Sequence, residues 1–384
     1  MRRLCKRRLF DLVTDNIKND IAQSNIAGAS VLVAQGNEIL LRECLGYADA
    51  KERIPLNGES LFRLASMTKP VTAVAALIGV ERGWFSLNDP ISVHIPEFES
   101  VMVGREENGA VVPDHKPACR PRLYQFLSNT TGFMGSGPLY ELEEKKIPAS
   151  AYASIGSMVD YCVRNTSYTF ETGRHVAYCA YQAYDVVATL IERYSDMPYK
   201  DFIEKSIFTP LGIKNLTYTP SEEQWSRLVK MSNKDDGRLV SVEMGRYTFE
   251  KHPLSYTSGG AGLVGGVDDY YTFARMLLGE GECDGVRIVS PEIFRLMPRS
   301  YVPKELMPED AGAAWGLGVM VRNEKATLPA GSYGWSGAYG THFWVDPANE
   351  IIAIYMKNSR WYDSHGCGKT GREFEKAVVA ALED

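Results

Sequence analysis

Strand-like runs lie at the two ends of this chain, and the stretch between them reads as helix and loop. Near the start, "AGASVLVAQGNEILLRECLGYAD" is two β-rich runs that meet at Gln35-Gly36-Asn37, a hairpin signal. Near the end come "AAWGLGVMVR", "GAYGTHFWVDP" and "EIIAIYMKN", then a helical "REFEKAVVAALED". Two β segments so far apart in sequence are most simply stabilised by joining one sheet, from which the intervening chain emerges as an insertion. The expected fold class is therefore α/β (α+β): an antiparallel sheet flanked by helices, with residues 1–65 and 246–384 forming the sheet domain. Residues 66–245 would be a mainly helical inserted region.

Composition narrows the possible roles. The chain has 384 residues, 45% hydrophobic and 23% charged, with a net charge of -6, the profile of a globular protein with room for a large core. The one basic cluster is "MRRLCKRR", too little for a nucleic-acid partner. It leads into an amphipathic helix over residues 7–23 rather than an apolar export signal, and one such cluster is a weak lipid anchor. No apolar run is long enough to span a membrane. Seven cysteines, an odd number with no CxxC spacing, fit reduced thiols and a cytoplasmic location. The six histidines show no HExxH or other ligand spacing, so neither a metal nor another cofactor is expected.

The stretch "FRLASMTKPVTAVAALIGVERGWFSLNDP" places Ser66 and Lys69 three apart at the start of a helix apolar on nearly every face. Residues i and i+3 in a first helical turn share a face. A serine there needs a neighbour to take its proton, and a lysine can do so when burial disfavours its ammonium form. Pro70 suits a helix start, where the N–H groups lack intrahelical acceptors. On spacing alone the pair is equally an N-cap beside a solvated charge, since S-x-x-K arises by chance about once or twice in such a chain.

The surrounding sequence separates these readings. "LFRLASMTKPVTAVAALIGVERGWFSLNDPISVHIPEF", "FLSNTTGF", "FIEKSIFTPLGIKNLTYT", "SGGAGLVGGVDDYYTFARMLLGEGECDGVRIVSPEIFRLM" and "YGWSGAYGTHFWVDPANEIIAIYMKN" occur in order over about residues 20 to 358. Together they resemble the serine β-lactamase and penicillin-binding protein family, in the class C branch that includes family VIII carboxylesterases and transesterases. The resemblance implies a β-lactamase/transpeptidase-like fold with its active site in the cleft between sheet and helical region. It makes Ser66 the acylated nucleophile and Lys69 its proton partner.

The family's second motif supplies a tyrosine. Counting from Gly173 places it at Tyr178; counting back from "YDVVATLIE" falls on Cys179 or Ala180, so the segment has an offset. Tyr178 is preferred and Tyr181 is the alternative, with Tyr181 and Tyr184 also readable as packing residues. Ala180 stands where β-lactamases carry an amide-binding asparagine. The third motif, by order, is Trp335-Ser336-Gly337. The resemblance makes these substrate-binding residues, with the Ala338 N–H joining that of Ser66 in an oxyanion hole. Trp335 replaces the motif's cation and so favours neutral esters over carboxylate-bearing β-lactams or peptidoglycan termini; a packing role for Trp335 is the bland alternative.

The literal Lys369-Thr370-Gly371 comes after the strands it should precede and reads as a helix start. "GCGKT" also imitates the tail of a phosphate loop, but Asp363 replaces the leading glycine. His175 and His342 fall near the site by order, Asn129 reads as a supporting loop residue, and Arg63 as a structural pair. No GxSxG elbow surrounds Ser66, which counts against an α/β-hydrolase. The expected function is a serine hydrolase or acyltransferase with an acyl-Ser66 intermediate, most simply a carboxylesterase on a small-molecule ester. A β-lactamase or D-alanyl peptidase, and a non-catalytic binding homologue, are the alternatives.

Overall fold

The computed structural model describes residues 1–359 and 368–383. Its centre is an eight-stranded antiparallel sheet. The strands are β1 (Gly28–Gln35), β2 (Glu38–Asp49), β3 (Ile54–Pro55), β4 (Ala313–Trp315), β5 (Met320–Arg322), β6 (Tyr333–Ser336), β7 (His342–Asp346) and β8 (Ile351–Met356). Their spatial order is β4-β5-β6-β7-β8-β1-β2-β3, so the N-terminal hairpin docks on the edge of the C-terminal meander through β8 and β1. The join is in register from Ile351 opposite Gln35 to Met356 opposite Ser30.

Strand alternation divides the core into two layers. Val31 and Val33 of β1, with Ala353 and Tyr355 of β8, face one side. There they meet Leu9, Val13 and Ile17 of helix α1 (Lys6–Ala22) and Phe374 and Val378 of the C-terminal helix. Leu32 and Ala34, with Ile352 and Ile354, face the other side and join the larger cluster. That cluster holds helix α2 (Lys69–Glu81), helix α3 (Ile155–Asn165), helix α4 (Gln182–Ser195) and helix α5 (Val267–Leu278). Helix α2 is buried from Lys69 to Gly79, as its all-round apolar sequence requires.

The middle of the chain is not purely helix and loop. Antiparallel pairs Val103–Glu107 with Ala110–His115, and Met231–Asp235 with Arg238–Val242, stand as separate two-stranded sheets. Their tips, Asn108-Gly109 and Asp236-Gly237, are left-handed turn residues (φ 53°, 78°, 42° and 74°). Their exposed, charged strands carry a weak hydrophobic alternation, which is why the sequence reads as loop. Among the described residues no helix is long and apolar enough to cross a membrane.

Candidate active site

Ser66 sits in a short 3-10 turn, Ala65–Thr68, that runs directly into α2. Ala65 before it is a non-glycine residue in the left-handed region, φ 47°, a conformation that costs about 1–3 kcal/mol. It packs against Met231 and Tyr339, which hold it there. The turn therefore presents Ser66 at a fixed angle, and the first-turn N–H groups, that of Ser66 among them, have no intrahelical acceptor.

Lys69 is fully buried one turn on, and its Nζ lies 3.3 Å from Ser66 Oγ. The same Nζ donates to the Gly260 carbonyl at 2.9 Å and to the Ala180 carbonyl. Nζ thus has three oxygen partners, one of them the serine it is expected to serve. The rings of Tyr178 and Tyr184 stand 4.8 and 4.9 Å from Nζ. Tyr184, whose hydroxyl donates to the Leu127 carbonyl at 2.8 Å, thus lines the lysine pocket as well as packing.

Of the two candidate tyrosines, Tyr178 meets the serine: its hydroxyl donates to Ser66 Oγ at 2.7 Å. Tyr181 turns away, its hydroxyl 3.5 Å from that of Tyr152 and 3.4 Å from Glu144, its ring among Phe249, His252 and Tyr256. Asn129 holds the Tyr178 loop as expected. Its side-chain carbonyl accepts from the Cys179 N–H at 2.9 Å and its backbone carbonyl from the Ala177 N–H at 3.1 Å.

The third motif approaches along β6. Trp335 lies 5.5 Å from the Tyr178 ring and 4.3 Å from Trp315 of β4, and Trp315 stacks on Tyr178 at 5.8 Å. The Trp335 indole N–H is buried without an acceptor. Gly337 packs on the backbone of Leu64: a Cβ there would fall 2.2 Å from both the Leu64 carbonyl oxygen and Thr341 Oγ1. Thr341 Oγ1 donates to that same carbonyl at 3.0 Å, and the Gly337 N–H donates to the Thr341 carbonyl at 2.7 Å. Ala338, at the tip of this turn, is exposed. Ser336 enters this region through its backbone only, because its hydroxyl is paired with His342 Nδ1 at 2.9 Å.

The remaining sequence candidates are structural. Arg63 is buried, bonded to the carbonyls of Tyr247, Val229 and Gly245 at 2.8, 3.3 and 3.4 Å, and burial lowers its pKa to about 10. His175 packs edge-on to Phe170. Lys369-Thr370-Gly371 lies in the first turn of helix α6 (Gly368–Ala380), as a helix start. Asp363 and Cys367 of the phosphate-loop imitation lie outside the described residues.

Two contributors escaped the sequence. Trp315 belongs to a short strand with nothing to separate it from core. Asp185 is fully buried on α4 and accepts from Ser258 Oγ at 2.6 Å, from the Gly259 N–H at 2.9 Å and from the Tyr256 hydroxyl. It thereby fixes the loop whose Gly260 carbonyl holds Lys69 and whose Gly259 carbonyl accepts from Thr72 at 2.5 Å. Its signal was present, since an acid in the apolar run "AYDVVATLIE" has to be paired or cost several kcal/mol. Burial pushes its pKa from 3.8 up to about 6, against the hydrogen bonds and the nearby Lys69.

With the geometry in place, comparison with known proteins gives the class. The family model described as beta-lactamase matches residues 13–374. An uncharacterized protein of Mycobacterium tuberculosis is 31% identical over 351 residues, covering 86% of this chain and 85% of that protein. Esterase EstB of Burkholderia gladioli is 24% identical over 388 residues, covering 90% of this chain and 89% of its own. Among solved structures, EstCE1, a hydrolase with promiscuous acyltransferase activity, aligns with a TM-score of 0.79 at 21% identity, over 97% of this chain and 99% of its own. The chain belongs to the beta-lactamase family and is a serine hydrolase of that fold.

Two expectations follow. Because the Asp185 pKa is raised on folding, the folded state binds its proton more tightly, and that contribution is full below about pH 4 and lost as pH rises through about 6. The stability of wild type minus that of Asp185→Asn should therefore fall by up to about 3 kcal/mol between pH 4 and 7 in urea titrations; a flat difference contradicts the burial argument. Gly337→Ala forces backbone apart at Leu64 and should cost about 1–3 kcal/mol in the same assay, whereas a neutral effect would mean the contact is looser than described.

Proposed function

We propose that the chain is a carboxylesterase or acyltransferase that works through an acyl-Ser66 intermediate on small neutral esters. The observation that carries this reading is the convergence of Tyr178 and Lys69 on one serine oxygen, at 2.7 and 3.3 Å. Ser66 Oγ attacks the ester carbonyl while its proton passes to Lys69 acting as the neutral amine, whose two N–H bonds stay on the Ala180 and Gly260 carbonyls. The negative charge that forms on the carbonyl oxygen is met by the N–H groups of Ser66 and Ala338. Tyr178 then gives its hydroxyl proton to the departing alkoxide, which leaves as the alcohol, and takes a proton back from Lys69. Water, or a second alcohol, repeats the sequence in reverse on the acyl-serine and restores Ser66.

Trp335, backed by the buried Trp315 and packed beside Tyr178, offers the substrate an apolar side chain where a lysine would pair with a carboxylate. That supports neutral esters, and the name of EstB agrees with it. No cofactor has a place in this scheme. Six cysteines of the described residues are free thiols, which supports a reducing, cytoplasmic compartment.

Hydrolysis of a short-chain p-nitrophenyl ester, beside a chromogenic cephalosporin, tests the proposal. Wild type should turn over the ester in preference to the cephalosporin, and Ser66→Ala should lose ester turnover by at least about 10³-fold. A better rate on the cephalosporin would make the protein a β-lactamase and overturn the argument from Trp335. No turnover of either would favour a binding homologue.

A further inference from the structure

The other face of β6 carries a buried polar chain that the acyl-transfer scheme does not use. Successive strand residues point to opposite faces, so Trp335 faces Tyr178 while Ser336 faces α6. There Ser336 Oγ pairs with His342 Nδ1 at 2.9 Å, and His342 Nε2 pairs with Glu375 Oε1 of α6 at 3.1 Å. Arg322 of β5 closes the chain on the same carboxylate oxygen at 3.2 Å. Ser336, His342 and Glu375 are 7%, 1% and 6% exposed, too buried for surface decoration. Burial alone would raise the Glu375 pKa, but the hydrogen bond from His342 and the nearby Arg322 and Arg372 outweigh it and lower it. In the tautomer with its proton on Nε2, facing that carboxylate, the His342 ring is left with Nδ1 to accept a hydrogen bond from the Ser336 hydroxyl.

Position gives the chain its meaning. Ser336 and His342 are directly paired across β6 and β7 and bracket the turn 337–341. That turn is pinned at the front to the Leu64 carbonyl, two residues before Ser66, by Thr341. The Ser336–His342–Glu375 chain pins it at the back. Ala338 sits between the two pins.

We infer that His342 is a positioning residue for the oxyanion site: through Ser336 it holds the end of β6 so that the Ala338 N–H stays aimed at the carbonyl oxygen of the bound ester. This rests on the acyl-transfer reading above. An oxyanion donor acts mainly in the transition state, so a loosened one lowers kcat and leaves KM in place.

Replacing His342 separates this role from plain stability. Asn places an acceptor near the Nδ1 position and keeps the Ser336 bond; Gln reaches the Nε2 position and keeps only the Glu375 bond. With the p-nitrophenyl ester, His342→Asn should stay within about threefold of the wild-type kcat. His342→Gln and His342→Ala should fall about 10- to 100-fold with KM within about twofold, even where Asn and Gln melt at similar temperatures. Equal kcat for Asn and Gln, or kcat that tracks Tm across the set, overturns the inference and leaves the acyl-transfer reading intact. A wild-type rate that is absent, or unchanged in Ser66→Ala, overturns both. Should His342→Ala fail to fold, the Asn and Gln pair carries the comparison.

Discussion

One buried lysine organises the site. Lys69 Nζ has Ser66 Oγ on one side and the carbonyls of Ala180 and Gly260 on the others. A fully buried lysine is costly unless each of its donors is matched, and here the matching draws three remote segments to one point. The Ala180 carbonyl brings the Tyr178 loop against the serine. The Gly260 carbonyl brings in the glycine loop, and with it Asp185, which fixes that loop through Ser258 and Gly259. Glycine is required at 259 and 260, where a Cβ would fall 2.5 Å from the Tyr184 carbonyl oxygen and 2.4 Å from the Tyr181 Cα.

The sheet supplies the other half of the site. Its last turn before β7 packs glycine-to-backbone on Leu64, so the strand end and the nucleophile are held in one frame. The chain's two ends must both be folded for this to happen, because β6 and β7 belong to the C-terminal meander while Leu64 follows the N-terminal hairpin. Ser66 Oγ is already within hydrogen-bond distance of both Lys69 and Tyr178.

Much of this was legible in the residues. Strand patterns at both ends foretold a shared sheet, and an apolar helix opened by Ser66 and Lys69 foretold a buried pair. Order along the chain set aside the literal Lys369-Thr370-Gly371, which does open a helix. What could not be read was spatial. The offset before α4 left Tyr178 and Tyr181 undecided, and only the path of the loop sends one hydroxyl to Ser66 and the other toward Tyr152 and Glu144. The direction of Ser336 depends on the pleat of β6, which sends its hydroxyl to His342. Trp315 enters the aromatic wall through a strand pairing that no local pattern announces.

The central claim, that this geometry makes Ser66 the acylated nucleophile, is tested most directly by intact-mass and peptide-mapping analysis after treatment with a fluorophosphonate probe. The account predicts a single adduct per chain, located on Ser66 and absent from Ser66→Ala. No adduct, or an adduct mapped to another serine such as Ser336, would contradict it.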